Sequence, residues 1–414
     1  MELFDELFSG VPVIAAPAIQ RELGASYQVT AAALLLVPAL LALVVEPVLF
    51  LLADRHPRAW FVRGGAIGMA VSAVLGAAAP TAGWLACAEA LAAVSSGCAV
   101  ATAQATLVDA HPGERERVLT RWAMLGLAGD LAAPALFAGL AAVSISWRGA
   151  YLMIGAAIAV WVAGLITARF PVAGKAGTAP AAGGTDDAAG TDDAAGTDDT
   201  EDAPLFASLW LALHDRRLVA WLFGAALCDL LDEILVLFGS LHLRDALGAG
   251  PLARSAMMGG FVAGSALGLA VSERLLRRVA PLRLLAASGV ACAVLYLAWI
   301  ASPTLWVSTP LIVAVGFTSA PLYPITMAQA YAALPGRSGT VQAAGHLFTP
   351  FAMGLPWLLG WVADHHGTAA ALVALVAQPI GLTALALAGL RAANRRARAS
   401  GAGGPGAPPP SSPA

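Results

Sequence analysis

Apolar runs of about 20 residues follow one another along most of this chain, and a run of that length crosses a bilayer as a helix. Hydrocarbon offers no water to a peptide N–H or C=O, so each run must close its own backbone hydrogen bonds. Twelve spans are legible, near 3–20, 29–52, 61–80, 84–108, 119–143, 147–168, 218–243, 252–272, 281–301, 304–330, 339–363 and 368–390. Hydrophobic residues make up 59% of the chain and charged residues 12%, about half the charge of a soluble protein. A net charge of −3 gives no reason to expect nucleic acid. Cys87, Cys98, Cys228 and Cys292 lie inside apolar runs without metal-ligand spacing, so neither a metal nor a cofactor is expected. Acids at the head of the first apolar segment argue against a cleavable signal peptide.

Basic residues set the expected orientation. Nineteen of the 23 lysines and arginines fall in even-numbered loops or the C-terminal tail, leaving Arg21, Arg148, Arg244 and Arg254 on the other side. Both termini are therefore expected in the cytoplasm, with the chain multi-pass in the plasma or inner membrane. A first six-helix bundle is read over 1–170, an acidic connector over 171–204, a second bundle over 205–391 and a tail over 392–414. The connector repeats Gly-Thr-Asp-Asp without apolar periodicity, and the tail is rich in Gly, Pro and Ser. Neither buries enough surface to fold. Leu205–His214 reads as a short amphipathic helix on the cytoplasmic surface.

The costliest residues are the acids inside spans. Asp229, Asp232 and Glu233 fall within about one turn of span 7, with Asp229 and Glu233 on one face. Three carboxylates at bilayer depth cannot all stay ionised, which calls for a cavity or a partner. The same pattern opens span 1, as Glu2-Leu-Phe-Asp5-Glu6-Leu7. Further matches recur six spans apart. Ala103-Gln104-Ala105 answers Ala328-Gln329-Ala330, and Ala128-Gly-Asp130-Leu-Ala-Ala-Pro134 answers Ala344-Gly-His346-Leu-Phe-Thr-Pro350. Span 2 ends in Asp54-Arg55 and span 8 in Glu273-Arg274. This is a parallel repeat about an axis along the membrane normal. Span 1 is short, since Leu3 to Ile19 reaches only about 25 Å. Taken as it stands, the span would leave its acids near the cytoplasmic surface, so roughly 10–15 further residues of that span are expected upstream, a short, thinned or tilted helix being the alternative.

Two repeated sets of six spans, with the loop Phe50-Leu-Leu-Ala-Asp54-Arg55-His-Pro-Arg58-Ala59, resemble the major facilitator superfamily. The loop after span 2 in that family reads Gly-x-x-x-Asp-Arg-x-Gly-Arg-Arg. Asp54, Arg55 and Arg58 keep its charged positions, whereas Phe50, Pro57 and Ala59 depart from it. Glu273, Arg274, Arg277 and Arg278 match in the second half. The resemblance implies an all-α membrane fold of two six-helix bundles. In it, spans 1, 4, 7 and 10 line a central cavity, spans 2, 5, 8 and 11 pack the interface, and the rest face lipid. It also implies that Asp54 with Arg58, and Glu273 with Arg277, pair as a cytoplasmic gate, with Arg55 and Arg274 beside them. Span 5, with Gly126, Gly129, Pro134 and Gly139, is similar to the family's antiporter signature only loosely, because its Gly-Pro pair is missing.

Proton coupling needs a group that is protonated in one state and charged in another. Asp229, Asp232 and Glu233 lead, with Asp5 and Glu6 as partners across the axis. Asp130 and His346 occupy equivalent places in spans 5 and 11 and are read as a pair across the cavity. Gln104 and Gln329 offer donor and acceptor to a polar ligand, or else join helices. Glu46, beside the kinking Pro47, is a further intramembrane acid, at a gate or against an arginine. Glu89 and Arg121 are weaker candidates. No nucleophile–base spacing or phosphate-binding glycine loop points to an enzyme. The expectation is a monomeric secondary transporter that exports a small polar or cationic compound, coupled to protons, by alternating access. Uptake of a nutrient such as a sugar is the alternative within transport. A receptor or assembly factor of the same fold is the alternative outside it.

Overall fold

The computed structural model describes residues 1–26, 29–30, 32–167, 205–231 and 233–401, and every regular element among them is a helix. The first half comprises α1 (Glu2–Leu23), α2 (Val37–Ala53, after a π turn at Ala32–Leu36), α3 (Arg58–Ala77), α4 (Ala82–Ala110), α5 (Arg115–Ala142) and α6 (Trp147–Thr167). The short α7 (Leu205–His214) leads into the second half. Span 7 is split into α8 (Arg216–Leu227) and α9 (Glu233–Leu247), with a 3-10 turn at Cys228–Leu231. Spans 8 and 9 are the unbroken α10 (Pro251–Leu275) and α11 (Pro281–Ile300). Spans 10, 11 and 12 are split into α12 (Leu305–Ser319) and α13 (Leu322–Ala333), α14 (Ser338–His346) and α15 (Thr349–His366), and α16 (Thr368–Ala374) and α17 (Ala377–Gly401).

Proline accounts for the last three breaks. Pro321, Pro350 and Pro379 lack an N–H and crowd the carbonyl four residues back. The break in span 7 frees the Leu231 N–H, which donates to Gln378 Oε1 of α17 at 2.7 Å. Eight helical stretches are long and apolar enough to cross a membrane, and they correspond to spans 2, 3, 4, 6, 8, 9, 10 and 12. Spans 1, 5, 7 and 11 carry too many polar residues or breaks for that test. All four contribute to internal cavities.

Packing repeats at the same interval as the sequence. α2 and α3 both pack on α4, as α10 and α11 pack on α12, and α3 packs on α6 as α11 does on α17. Phe8, Trp147, Tyr151 and Ile154 build the core of the first half, and Tyr296, Trp299 and Tyr331 are fully buried in the second. At one end of the first half, Glu22 of α1 accepts from Trp147 Nε1 (2.6 Å) and Arg148 Nε (2.7 Å).

Two expectations change. Asp5 accepts from Ser96 at the midpoint of α4, and Glu6 lies against Gly129 at the midpoint of α5. The acids of span 1 are thus at mid-height rather than near the surface, because Glu22 pins the other end of α1 and sets their depth. In addition, α17 runs to Gly401, past the boundary at 391, since 392–400 is mostly Ala and Arg, which favour helix. The connector 171–204 and residues 402–414 lie outside the described residues.

Candidate functional site

The hydrogen bonds between the halves cluster at the arginine-rich end. Asp54, just past α2, caps α14 of the opposite half. Its carboxylate accepts from Gly339 N (2.8 Å), Thr340 N (2.7 Å) and Thr340 Oγ1 (2.9 Å). Arg337, at the N-cap position of α14 itself, makes no side-chain capping bond, so these amides are satisfied from across the interface. Gly339 permits the approach, because a Cβ there would collide with the Phe50 carbonyl and the Asp54 carboxylate. The small residue missing at position 50 is supplied by the facing helix. Arg58 lies 3.4 Å from Asp54 and 2.7 Å from Asp109, and it donates to Ser338 Oγ at 2.8 Å. Ser338 in turn donates to Asp109 at 2.6 Å. Burial pushes the Asp54 carboxyl above the usual aspartate range, and the two amides, Thr340 and Arg58 pull it back.

Glu273, the repeat counterpart of Asp54, is held by charge instead. Arg121 (2.7 Å), Arg117 (3.1 Å) and Arg277 (3.2 Å) surround it, two of them from the first half. Nearby, Gln329 Nε2 donates to Glu116 (2.9 Å), and Gln104 Oε1 accepts from both Tyr331 OH and Gln342 Nε2 (each 2.9 Å). Deeper still, His346 Nε2 lies 3.4 Å from Glu46 Oε2, with the Phe50 ring edge-on to the imidazole.

One cavity lies between the halves and a second, adjoining it, lies within the second half. The larger, about 310 Å³, has Glu2, Glu6, Gly126 and Asp130 of α1 and α5 on one wall. Leu231, Phe261, Val262, Ser265, Tyr323 and Pro324 of the second half form the other. The smaller, about 230 Å³, is bounded by Leu222, Met327, Gln342, His346 and Phe348, and Tyr323 lines both. Gly129 brings α1 close to α5, since a side chain there would meet the Leu3 carbonyl and Glu6. No ion pair joins Glu2, Glu6 or Asp130 to a Lys, Arg or His among the described residues. The Met1 amino group lies beside Glu2 and Asp5. Asp130 is solvent-exposed although it sits midway along α5, so water reaches the cavity.

A family model described as Major Facilitator Superfamily matches residues 3–355. The chain belongs to the major facilitator superfamily. No curated protein matches it. Among solved structures, the E. coli fucose:proton symporter FucP aligns with a TM-score of 0.73 at 12% identity, covering 93% of this chain and 97% of FucP. A FucP structure described as being in the outward conformation aligns at 0.69 with 14% identity, over the same shares of the two chains. The human organic anion transporter MFSD10 aligns at 0.65 with 15% identity (93% and 97% covered), and the proton:xylose symporter XylE at 0.65 with 10% identity (93% and 92%). At such identities the likeness carries the fold. The chain is a multi-pass membrane protein with the architecture of the superfamily's transporters.

Within the superfamily fold the site residues sort as follows. Asp54–Arg58 and Glu273–Arg277 form at the bonded end, where Arg55 and Arg274 are exposed. Glu6 and Asp130 share the larger cavity, whereas Asp5 turns to Ser96. Asp130 and His346 do not pair. Asp130 shares its wall with Glu6, and His346 faces Glu46 instead. Glu46 has His346 rather than an arginine beside it, and Gly97 leaves the space its carboxylate fills. Gln104 and Gln329 join helices rather than line either cavity. Glu89 is buried within the first half and accepts from Tyr151 OH. Asp232 lies outside the described residues, as do the side chains of Asp229 and Glu233. Sequence reasoning does not single out Asp109, Glu116, Tyr331, Ser338 or Thr340. The signal for three of them is a span-ending aspartate at 109, like Asp54, and the polar Ser338-Gly-Thr340 that opens α14.

Proposed function

We propose that the chain is a monomeric secondary transporter of the cell membrane that exports a small polar or cationic organic compound in exchange for protons. One observation carries this reading. Glu2, Glu6 and Asp130 of the first half line the cavity between the halves, with Asp5 behind them on Ser96, and no arginine, lysine or histidine pairs with those on the cavity wall among the described residues. Carboxylates crowded in a low dielectric hold a proton or a cation among them. A cationic solute and a proton then compete for the same oxygens, and such competition yields exchange. The excess of basic residues marks the bonded end as cytoplasmic, which supports an outward-facing state. The likeness to the FucP structure described as outward agrees with that assignment.

A second reading, sugar uptake with protons, has the descriptions of FucP and XylE behind it. Proteoliposome flux separates the two. Under an imposed proton gradient, exchange drives a cationic solute against proton flow, and symport drives a sugar with it. Glu6→Gln and Asp130→Asn should each abolish gradient-driven flux. Wild-type flux surviving in both variants would remove the acid cluster from the mechanism.

A further inference from the structure

The walls of the larger cavity differ in kind as well as in charge, and the difference bears on what binds there. The first-half wall is carboxylate. Among the described residues, several polar groups of the second-half wall are engaged elsewhere. Ser265 Oγ donates to the Phe261 and Gly316 carbonyls (3.1 and 3.3 Å), and Ser319 Oγ donates to Gly316 O (3.1 Å). Gln378 Oε1 is taken by the Leu231 N–H (2.7 Å). What that wall presents is Leu231, Phe261, Val262, Leu269, Pro324 and the Tyr323 ring. Tyr323 is 41% exposed, in a helix otherwise buried on nearly every face, and it stands between the two cavities. A sugar needs its hydroxyls matched on every side, since each polar group left without a partner in a closed site costs affinity. Among the described residues this wall is mainly apolar and matches few of them.

We propose that the cavity binds an amphiphilic organic monocation, with its charged head among Glu2, Glu6 and Asp130 and an aromatic or branched apolar body against Tyr323. This rests on the exchange reading above and narrows its substrate class. A ligand with both parts touches both halves at once. A compact cation such as tetramethylammonium engages only the first-half wall. Tyr323 is then a specificity-determining residue, acting through ring contact with the body of the ligand, which carries about a tenfold effect on affinity.

The test uses the full-length protein in detergent, with binding followed by calorimetry for three probes: benzyltrimethylammonium, tetramethylammonium and xylose. The expected result is that the benzyl compound binds at least about tenfold more tightly than tetramethylammonium. Tyr323→Leu should erase that difference, Tyr323→Phe should keep most of it, and Glu6→Gln should weaken both cations. Retention of the heat-unfolding midpoint in Tyr323→Phe and Tyr323→Leu controls for folding. Equal binding of the two cations, both still lost in Glu6→Gln, overturns the bipartite ligand and leaves the acid cluster standing. Binding of xylose with no response to either cation overturns both readings. An unchanged preference for the benzyl compound in Tyr323→Leu overturns the role of the ring.

Discussion

Asp54→Ala should loosen the bonded end of the molecule more than any other single truncation. Three bonds cross the interface to that carboxylate, two of them from the first amides of α14, which has no side-chain cap of its own. Losing an N-cap costs about 1–2 kcal/mol. A second partly buried amide left without an acceptor adds about 1–3 kcal/mol. Water admitted to the widened gap recovers part of this, so about 3 kcal/mol is a fair expectation. Because the bonds exist only while this end is closed, the cost falls on one state. The ratio of closed-end to open-end molecules should therefore drop about a hundredfold. Spin labels at His56→Cys and Arg278→Cys, both exposed and on opposite halves at this end, report it as a longer inter-label distance. Cys87, the exposed native cysteine, is replaced first. Glu273→Ala should give a smaller shift, because Arg121 and Arg277 are more than half exposed and water can replace their partner. A distance distribution in Asp54→Ala that matches the wild type, or a larger change in Glu273→Ala, would refute the argument.

Other outcomes follow from the same contacts. Gly339→Val places a side chain against the Phe50 carbonyl and should destabilise the closed end by about 1–3 kcal/mol, read with the same label pair. Tyr331→Phe removes one of two donors to Gln104 and should lower stability by about 1 kcal/mol, seen in thermal unfolding, with flux little changed. His346→Ala leaves the Glu46 carboxylate without its partner from the opposite half. Transport should fall severalfold, and a flux equal to wild type would dismiss that pair.

How far the sequence reaches is clearest from individual residues. Apolar run lengths and the six-span repeat specify the fold because the bilayer allows so few alternatives. Asp54 and Glu273 are legible since an acid ending a span beside arginines recurs in both halves. The pairing of His346 with Glu46 is not legible. A repeat marks which positions are alike, and that does not say which positions meet across the axis. The mid-height placement of Glu6 is hidden for a different reason: it depends on Glu22 anchoring the far end of α1 to Trp147 and Arg148. Helix breaks before Pro321, Pro350 and Pro379 could be anticipated from proline chemistry. The 3-10 turn at Cys228–Leu231, with its Gln378 acceptor, could not, because the partner lies 147 residues away.

The borrowed cap on α14 has a kinetic meaning. A helix finished by its neighbour carries an open stitch whenever the two bundles part, and solvent closes it at once. Separation is thereby made cheaper than the dry contacts imply, while rejoining must first strip that water from the amides. Traffic through this protein should be paced by resealing rather than by unsealing.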